Sequence, residues 1–171
     1  MITACLLGDG ILSKAGKNYR LMVEHTLKDE EYVHWKFQFL KRLSVSDVQY
    51  VPSHDSYRFG TVGHPEITEM RQAWYRPTKQ VPSKLVLTPL MLAIWFMDDG
   101  TKHRDTVDIS VHNFSKESLD ILRNRVSLFG IQTTVNSDSK GSRLYVLKKS
   151  YPRFESLAKP YMVQCMERKL P

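Results

Sequence analysis

The sequence predicts an α+β fold in which one order of helices and strands occurs twice. Two short apolar segments, ITACLLGDG at residues 2–10 and LMLAIWFMDDG at residues 90–100, each end in an aspartate followed by a glycine. A helix that is apolar on every side must be buried on every side, so these segments are expected to form two central helices. Each is followed by segments of alternating polarity and by an amphipathic helix. The repeat therefore predicts two similar halves that share one core.

In the first half, alternating polarity predicts a strand at residues 19–27 with Leu21, Val23 and His25 on its buried face. A helix is expected at residues 29–43, because acidic residues occupy its first turn and basic residues its last, as the helix dipole favours. The apolar face predicted for this helix consists of Tyr32, Trp35, Phe37, Phe39, Leu40 and Leu43.

The remainder of the first half resembles a hairpin followed by a helix. Two short strands at residues 48–51 and 56–62 flank a turn that contains a proline. A helix at residues 65–75 starts with proline, which suits the first turn of a helix. The first half is therefore expected to cover residues 1–75. Residues 76–89 contain three prolines and are predicted to link the two halves.

The second half, residues 90–171, repeats this order. After its apolar helix we expect a basic turn at residues 101–104 and a strand at residues 106–113. A helix at residues 115–129 follows, because Ser115 is a favourable N-cap. The strand is expected to direct Val107, Ile109 and Val111 inward and Asp108, Ser110 and His112 outward.

The chain is predicted to end with a second hairpin and a short helix. Residues 131–137 and 143–148 are expected to form the two strands, and residues 151–157 the helix. Two sets of positions are taken to correspond between the halves: Asp9 with Asp99, and residues 25–27 with residues 112–114.

The composition favours an intracellular protein with a polyanionic partner. The chain of 171 residues has a formal net charge of +7 and a pI near 9.4. Two cysteines without metal-binding spacing, Cys5 and Cys165, suggest reduced thiols, and the start of the chain lacks the pattern of a signal peptide. No apolar run reaches the roughly 18 residues that a membrane helix needs.

The acids at the ends of the two apolar helices are the main indication of chemistry. A helix C-terminus already carries partial negative charge, so Asp9, Asp98 and Asp99 are in unfavourable positions unless a cation is close. If the two helix ends lie side by side, their carboxylates form a site for a divalent metal. The six histidines lack the spacing of metal ligands and are expected to pack or to contact phosphates.

Several motifs resemble the LAGLIDADG homing endonucleases, and in particular the monomeric, double-motif, omega-type intron enzymes of mitochondria. These are WFMDDG at residues 95–100, LTP at residues 87–89, and KPY with a terminal KLP within residues 159–171. The first motif, ITACLLGDG, matches the end of the family motif better than its beginning. The likeness extends in order over nearly the whole chain.

The resemblance implies a saddle of two αββαββα halves with the two motif helices packed at a pseudo-twofold axis. It further implies that Asp9 and Asp99 bind catalytic Mg²⁺ or Mn²⁺, with Ca²⁺ as a substitute that does not support cleavage. The backbone carbonyls of Gly8 and Asp98 are expected to lie beside the metal. The family places one lysine for each half near the metal as a further catalytic residue, and Lys79 and Lys169 match these two places.

One departure from the family pattern concerns the contact between the motif helices. The family favours small residues there, and Ala4 and Gly8 comply, whereas Ile94 and Asp98 do not. The second helix is therefore expected to pack differently. Asp98 is either a metal ligand or a carboxylate with a structural role.

Polar and basic residues on the outer faces of the strands and in their turns are predicted to contact DNA. They are Arg20, Glu24, Arg58, Lys102, Arg104, Ser110, Gln132, Thr134, Asn136, Lys140 and Arg143.

Three functions fit these residues and motifs. The first is a sequence-specific endonuclease that makes a divalent-metal-dependent double-strand cut in a long asymmetric DNA site, as a monomer, in an organelle matrix or a prokaryotic cytoplasm. The second is an RNA-binding intron maturase on the same scaffold. The third is a DNA-binding protein with a vestigial site. The retention of both Asp9 and Asp99 favours the endonuclease.

Overall fold

The computed structural model describes residues 1–138 and 141–171 and confirms the doubled αββαββα order. The first half contains α1 (Ile2–Leu7), β1 (Ile11–Ala15), β2 (Asn18–Thr26), α2 (Glu30–Leu40), β3 (Gln49–Val51), β4 (Ser56–Gly60) and α3 (Pro65–Trp74). The second half contains α4 (Pro89–Asp99), β5 (Gly100–His103), β6 (Thr106–Ser110), α5 (Lys116–Ser127), β7 (Thr133–Asp138), β8 (Gly141–Val146) and α6 (Tyr151–Ala158).

Each half forms one antiparallel sheet, with strand orders β1-β2-β4-β3 and β5-β6-β8-β7. The same row of partners crosses both sheets. In the first sheet Glu24 pairs with Arg58, which pairs with Gln49. In the second sheet the corresponding row is Ser110, Arg143 and Asn136. The register of the strands therefore gives a residue-by-residue match between the two halves.

This register corrects one expected correspondence. His25 directly follows Glu24, so its counterpart is Val111, which directly follows Ser110, and not His112. Burial agrees, because His25 and Val111 are buried whereas His112 is exposed. The β1–β2 hairpin is longer than the β5–β6 hairpin, and this difference shifts the match.

Several elements differ from the sequence prediction, and three of these differences matter most for the site. The helix α1 ends at Leu7, before Asp9. Residues 101–103 of the expected basic turn belong to strand β5, and the turn that follows contains Arg104 at a φ of 55°. The buried face of α2 is rotated from the predicted one, because Phe39 and Leu43 are exposed. That buried face consists of Tyr32, Val33, Lys36, Phe37 and Leu40.

The core is organised around the pair α1 and α4, which contact each other. Residues 4–7 of α1 and 92–97 of α4 are almost completely buried, as their apolar character predicts. Within the described residues, none of the helices has the length and hydrophobicity needed to cross a membrane.

The segment between α3 and α4 packs against the second half. Its Val81, Leu85 and Leu87 are buried, and the Val81 N–H donates a hydrogen bond of 2.9 Å to Ser118 Oγ on α5. Pro89, which the sequence places in the linker, is the first residue of α4. The connection is therefore part of the packed structure.

Candidate active site

The C-terminal ends of α1 and α4 meet, and the close approach requires a glycine. A Cβ atom built on Gly8 would lie only 2.2 Å from Asp98 Oδ2. No side chain fits in this space, so Gly8 allows the Asp98 carboxylate to lie across the end of α1. The Asp9 N–H donates a hydrogen bond of 3.2 Å to the same oxygen. The two motif ends are thus joined through Asp98.

Asp9 and Asp99, one from each half, line the same cleft at this junction. Burial and the charges of Asp9 and Asp98 raise the pKa of Asp99 to about 7, against the weaker effects of two lysines. Partial burial and the charge of Asp98 also raise the pKa of Asp9. The side chain of Asp9 remains 45% exposed, so it is accessible from outside. Such a concentration of negative charge is the electrostatic condition that favours a bound cation.

The two predicted lysines lie at this junction, one at each helix end. Lys79 Nζ donates a hydrogen bond of 2.7 Å to the carbonyl of Gly8. Lys169 Nζ donates to the carbonyls of Met97, at 2.5 Å, and Asp98, at 2.9 Å. Burial lowers the pKa of both lysines, while the nearby aspartates act in the opposite direction. The lysines therefore place positive charge where both helix dipoles are negative.

Contacts at the C-terminal end of the chain hold Lys169 in place. Lys169 is the last residue of a 3₁₀ helix, Gln164–Lys169. The neighbouring Arg168 forms an ion pair with Asp29, the residue that precedes α2. This pair ties the end of the second half to the first half beside the site.

The Asp98 carboxylate is fully buried and engaged by the first half. It accepts hydrogen bonds of 2.6 Å from Lys36 Nζ and 2.7 Å from the Tyr32 hydroxyl. Burial alone would raise the pKa of Asp98, but Lys36, His25 and the hydrogen bonds lower it below its usual range. Asp98 is therefore a buried anion with its own protein cation.

Asp9, His25 and Asp98 also form a group of three side chains with potential metal-binding atoms within 4.8 Å of one another. Lys36 already occupies this group, because its Nζ lies 3.0 Å from His25 Nε2 and 2.6 Å from Asp98 Oδ1. Burial and the charge of Lys36 lower the pKa of His25 to about 4, so the ring is neutral at pH 7. An imidazole that accepts from Lys36 at Nε2 carries its proton at Nδ1, 3.5 Å from Asp9 Oδ2. The three residues thus belong to a hydrogen-bonded network.

Lys36 and Tyr32 belong to the site although the sequence did not predict them there, and His25 was predicted only for a buried strand face. One signal was present. Lys36 follows Tyr32 by one helical turn and precedes Leu40 by another, so it interrupts an apolar stripe. A lysine at such a position is almost never buried without a partner, and the partner is Asp98.

The strand register places most of the predicted DNA-contacting residues on the outer faces of the sheets. In the first sheet these are Arg20, Glu24 and Arg58. In the second sheet Ser110, Thr134, Asn136 and Arg143 lie on the outer face, with Gln132 just before β7 in the same alternation. Arg104 lies in the β5–β6 turn, and Lys140 falls outside the described residues.

The position expected for Lys102 is wrong. It pairs with Val107, which is buried against the helices, so it lies on the helix side of the edge strand β5. Asp108 also differs from the prediction, because it is only 2% exposed although it lies on the outer face. Arg143 covers Asp108 with an ion pair, and His103 Nδ1 lies 3.8 Å away.

A cleft borders the outer side of the junction. Its volume is about 540 Å³, and Gly8, Asp9, Lys79, Asp99 and Ser110 contribute to its lining. Acid residues from both halves thus lie at the floor of a surface that two sheets flank. The fold is thus that of a protein with two repeated motifs, in which an acid at or just after the end of each paired helix contributes to one shared acidic centre.

Residues 1–154 match the LAGLIDADG DNA endonuclease family, and the chain belongs to this family. The cytochrome b mRNA maturase bI2 of Debaryomyces hansenii is 27% identical over 99% of this chain and 72% of its own length. The maturase of the same name from Saccharomyces cerevisiae is 25% identical, and the match spans 46% of it. The DNA endonuclease I-ChuI of Chlamydomonas applanata is 25% identical over 99% of this chain and 92% of its own length.

Solved structures share the saddle fold. The homing endonuclease I-WcaI bound to its DNA recognition sequence superposes with a TM-score of 0.84 at 22% identity, over 98% of this chain and 83% of that one. I-DmoI in complex with DNA and Mn superposes with a TM-score of 0.63 at 15% identity, over 95% and 98% of the two chains. The family supports a nuclease, and these structures show the shared fold.

Proposed function

We propose that this chain is a sequence-specific endonuclease that makes a double-strand cut in a long, asymmetric DNA site. The observation that carries the proposal is the meeting of Asp9 and Asp99, one from each half, between Lys79 and Lys169. Burial and the charges of Asp9 and Asp98 raise the pKa of Asp99, and acids at the ends of two apolar helices contribute nothing favourable to folding in that place. The presence of both acids is explained if they bind a divalent cation that takes part in phosphodiester hydrolysis.

The donor atoms of this centre fit a hard divalent cation. Asp9 and Asp99 present carboxylate oxygens, and the carbonyls of Gly8 and Asp98 lie beside them. Oxygen donors suit Mg²⁺ or Mn²⁺, and Ca²⁺ would bind here without supporting cleavage. When bound, such a cation lowers the pKa of a coordinated water and stabilises charge on the attacking and leaving oxygens.

The residues of the chain itself supply position and positive charge. Lys79 and Lys169 bring their ammonium groups to opposite sides of the acidic centre and are held there by backbone carbonyls. A fixed cation at this place offsets the negative charge that develops on a phosphate during hydrolysis. His25 directs its Nδ1 toward Asp9 and limits the orientations of that carboxylate.

The outer sheet faces would bind the duplex on both sides of the cut. Arg20, Arg58 and Arg143 provide phosphate or base contacts, while Ser110 and Asn136 offer neutral donors and acceptors. Because α1 and α4 cover each other within one chain, the protein would act as a monomer on a site whose two halves differ.

A second candidate function is that of an intron maturase, which the likeness to cytochrome b mRNA maturase bI2 favours. The same basic surface would then bind intron RNA, with or without DNA cleavage. This function does not need the acidic centre. The two candidates are therefore separated by variants that remove the acids and leave the sheets unchanged.

The test uses duplexes selected from a random library for binding in Ca²⁺ and then exposed to Mg²⁺. The protein should cut both strands in Mg²⁺ and neither strand in EDTA. Asp9→Asn and Asp99→Asn should each slow cleavage by about 100-fold or more, since each removes a charge that the centre needs. Duplex binding should remain, because the sheet contacts are unchanged.

The matched control is Asp105→Asn, which removes an exposed carboxylate that pairs with Lys148 far from the centre. This variant should cut at the wild-type rate. A wild-type protein that binds the selected duplex but never cuts it in Mg²⁺ or Mn²⁺ would contradict the proposal. Stimulation of intron splicing by Asp9→Asn at the wild-type level, together with that result, would establish the maturase alternative.

A further inference from the structure

The interiors of the two halves differ at matched positions beneath the acidic centre. The helices α2 and α5 both bury their third, seventh and eleventh residues. In α2 these are Tyr32, Lys36 and Leu40, and in α5 they are Ser118, Leu122 and Val126. The helix position that holds a buried lysine in the first half therefore holds a leucine in the second.

The strands and motif helices differ in the same way. His25 in the first half corresponds to Val111 in the second, by the register of the sheets. In the motifs, Asp98 corresponds to Gly8, since each directly precedes the final acid. A charged and polar cluster of Lys36, His25, Tyr32 and Asp98 thus lies beneath the Asp9 side. None of the matched positions carries an ionisable side chain, since they hold Val111, Ser118, Leu122 and Gly8.

The fold does not require this buried charge. Taking a carboxylate and an ammonium out of water costs about as much as their attraction returns, so apolar replacements of similar volume are often neutral or stabilising. The second half builds the same strands and helices with Val111 and Leu122 at these positions. The charged pair is therefore better explained by what it does to its neighbour Asp9 than by stability.

The cluster contacts Asp9 at two places. Asp98 Oδ2 accepts the hydrogen bond from the Asp9 backbone N–H at 3.2 Å. Lys36 and Tyr32 fix the other oxygen of Asp98, at 2.6 Å and 2.7 Å. On the side-chain side, His25 Nδ1 lies 3.5 Å from Asp9 Oδ2, and His25 Nε2 is in turn held by Lys36. Lys36 thus anchors both groups that touch Asp9.

We propose that Lys36 and Asp98 are positioning residues for Asp9, and that the matched positions, among the residues the structure describes, provide no such support for Asp99. The inference rests on the proposed nuclease function. Because the support acts on one acid of the pair, its loss should affect the cutting of the two DNA strands unequally. Asp98 then has a role through its buried carboxylate that is separate from its backbone carbonyl.

The experiment uses a double variant that carries both Lys36→Met and Asp98→Ala. It is compared with the control variant Leu122→Met. The double variant removes both charges together and leaves no unpaired ion, whereas the control changes the matched position in α5. Each strand of the target duplex is labelled separately, and the two nicking rates are measured. The ratio of these rates should change by about tenfold or more in the double variant, because small misplacements of a reacting group have effects of this size. The control should keep the wild-type ratio.

A second measurement does not depend on cleavage. The ¹H–¹⁵N backbone amide signals of Asp9 and Asp99 are recorded in the free protein without metal. The Asp9 signal should shift in the double variant, because its hydrogen-bond acceptor is gone, while in the control Leu122→Met both signals should keep their wild-type positions. Tyr32→Phe removes only one hydroxyl contact to Asp98 and should produce smaller changes of the same kind, so it replaces the double variant if that protein does not fold.

Two results would overturn the inference. One is an Asp9 amide signal that does not move, and the other is equal slowing of both strands. If the wild-type protein cuts neither strand, the nuclease proposal fails on its own evidence. The amide signals then still decide whether Lys36 and Asp98 hold Asp9.

Discussion

The two halves share their strand order and their buried positions, but they keep their ionisable groups in different places. The first half buries Lys36 and His25 between its helix and its motif, beneath Asp9. The second half buries Asp108 on the outer face of its sheet, beneath Arg143. Apolar residues at matched positions are thus sufficient for the fold. The charged residues can therefore differ between the halves without changing the fold, and they make the two halves chemically different.

The same contrast appears in the matched rows of the sheets. In the first, Glu24 lies next to Arg58 and accepts hydrogen bonds from Ser56 Oγ at 2.5 Å and from His54 Nδ1 at 2.7 Å. These bonds lower the pKa of Glu24, although burial acts in the opposite direction. In the second row Ser110 replaces the acid. A surface with an acid on one side and a hydroxyl on the other would select different base edges in the two half-sites.

The largest effect after loss of an acid is expected from the lysines, which test whether the two sides of the centre are equivalent. Lys79→Met and Lys169→Met should each slow cleavage by about 10- to 100-fold, because each removes a fixed charge near the reacting phosphate. Each variant should slow the cutting of one DNA strand more than the other, and the strand most affected should differ between Lys79→Met and Lys169→Met. Strand-specific rates under single-turnover conditions measure this difference.

Lys148→Met is the matched control for both lysines, because Lys148 pairs with Asp105 at an exposed site. It should leave both strand rates unchanged. Wild-type rates in both lysine variants would show that Lys79 and Lys169 only neutralise helix ends. Equal rates on the two strands would instead remove the expected difference between the halves.

The sequence was sufficient to predict the doubled fold, because periodicity and local caps determine where helices and strands occur. The N-cap at Ser115 is an example, since its side chain accepts a hydrogen bond from the Ser118 N–H as expected. Long-range contacts were not predictable in the same way. Asp108 alternates outward along β6, and its burial depends on Arg143 from a strand that is distant in sequence.

The candidate site shows the same division. Asp9, Asp99, Lys79 and Lys169 were predicted from motifs, and the structure brings all four together. Their catalytic roles remain predictions. The network beneath them was missed because a lysine in an apolar stripe does not reveal its partner. Asp98 is 62 residues from Lys36 along the chain, so only the packing of the two halves identifies this pair.

Variants of two arginines at matched positions of the outer face distinguish an effect on stability from an effect on DNA binding. Arg143→Ala should lower the free energy of unfolding by about 1–3 kcal/mol, because it leaves the buried carboxylate of Asp108 without its cation. Arg58→Ala, at the matched position of the first sheet, should change stability little, since no equivalent buried acid depends on it among the described residues. Urea unfolding of both variants gives the comparison.

Both arginine variants should weaken duplex binding, with a reduced salt dependence, because each loses one cation on the outer face. Asp108→Asn combined with Arg143→Ala should recover much of the lost stability but not the lost affinity. If Arg143→Ala is as stable as Arg58→Ala, the two sheets are closer to equivalent than their burial indicates.

The smallest expected effect concerns the point where the motif helices touch, at Gly8. Gly8→Ala places a Cβ 2.2 Å from Asp98 Oδ2, so the Asp98 carboxylate must move or the helices must separate. We expect a loss of about 1–2 kcal/mol in the free energy of unfolding, as for other overpacked sites.

Gly10→Ala is a poor control for this prediction, because its Cβ would meet the Cys5 backbone at 2.7 Å. The better control is Gly8→Ala in the background of Asp98→Gly with Lys36→Met, where the whole obstructing side chain is absent, including the Asp98 Cβ that would lie 2.4 Å from the added methyl group. In that background the cost of the added methyl group should largely disappear, since the coupling between Gly8 and Asp98 is direct. An unchanged cost would mean that backbone conformation, and not the Asp98 carboxylate, requires glycine at this position.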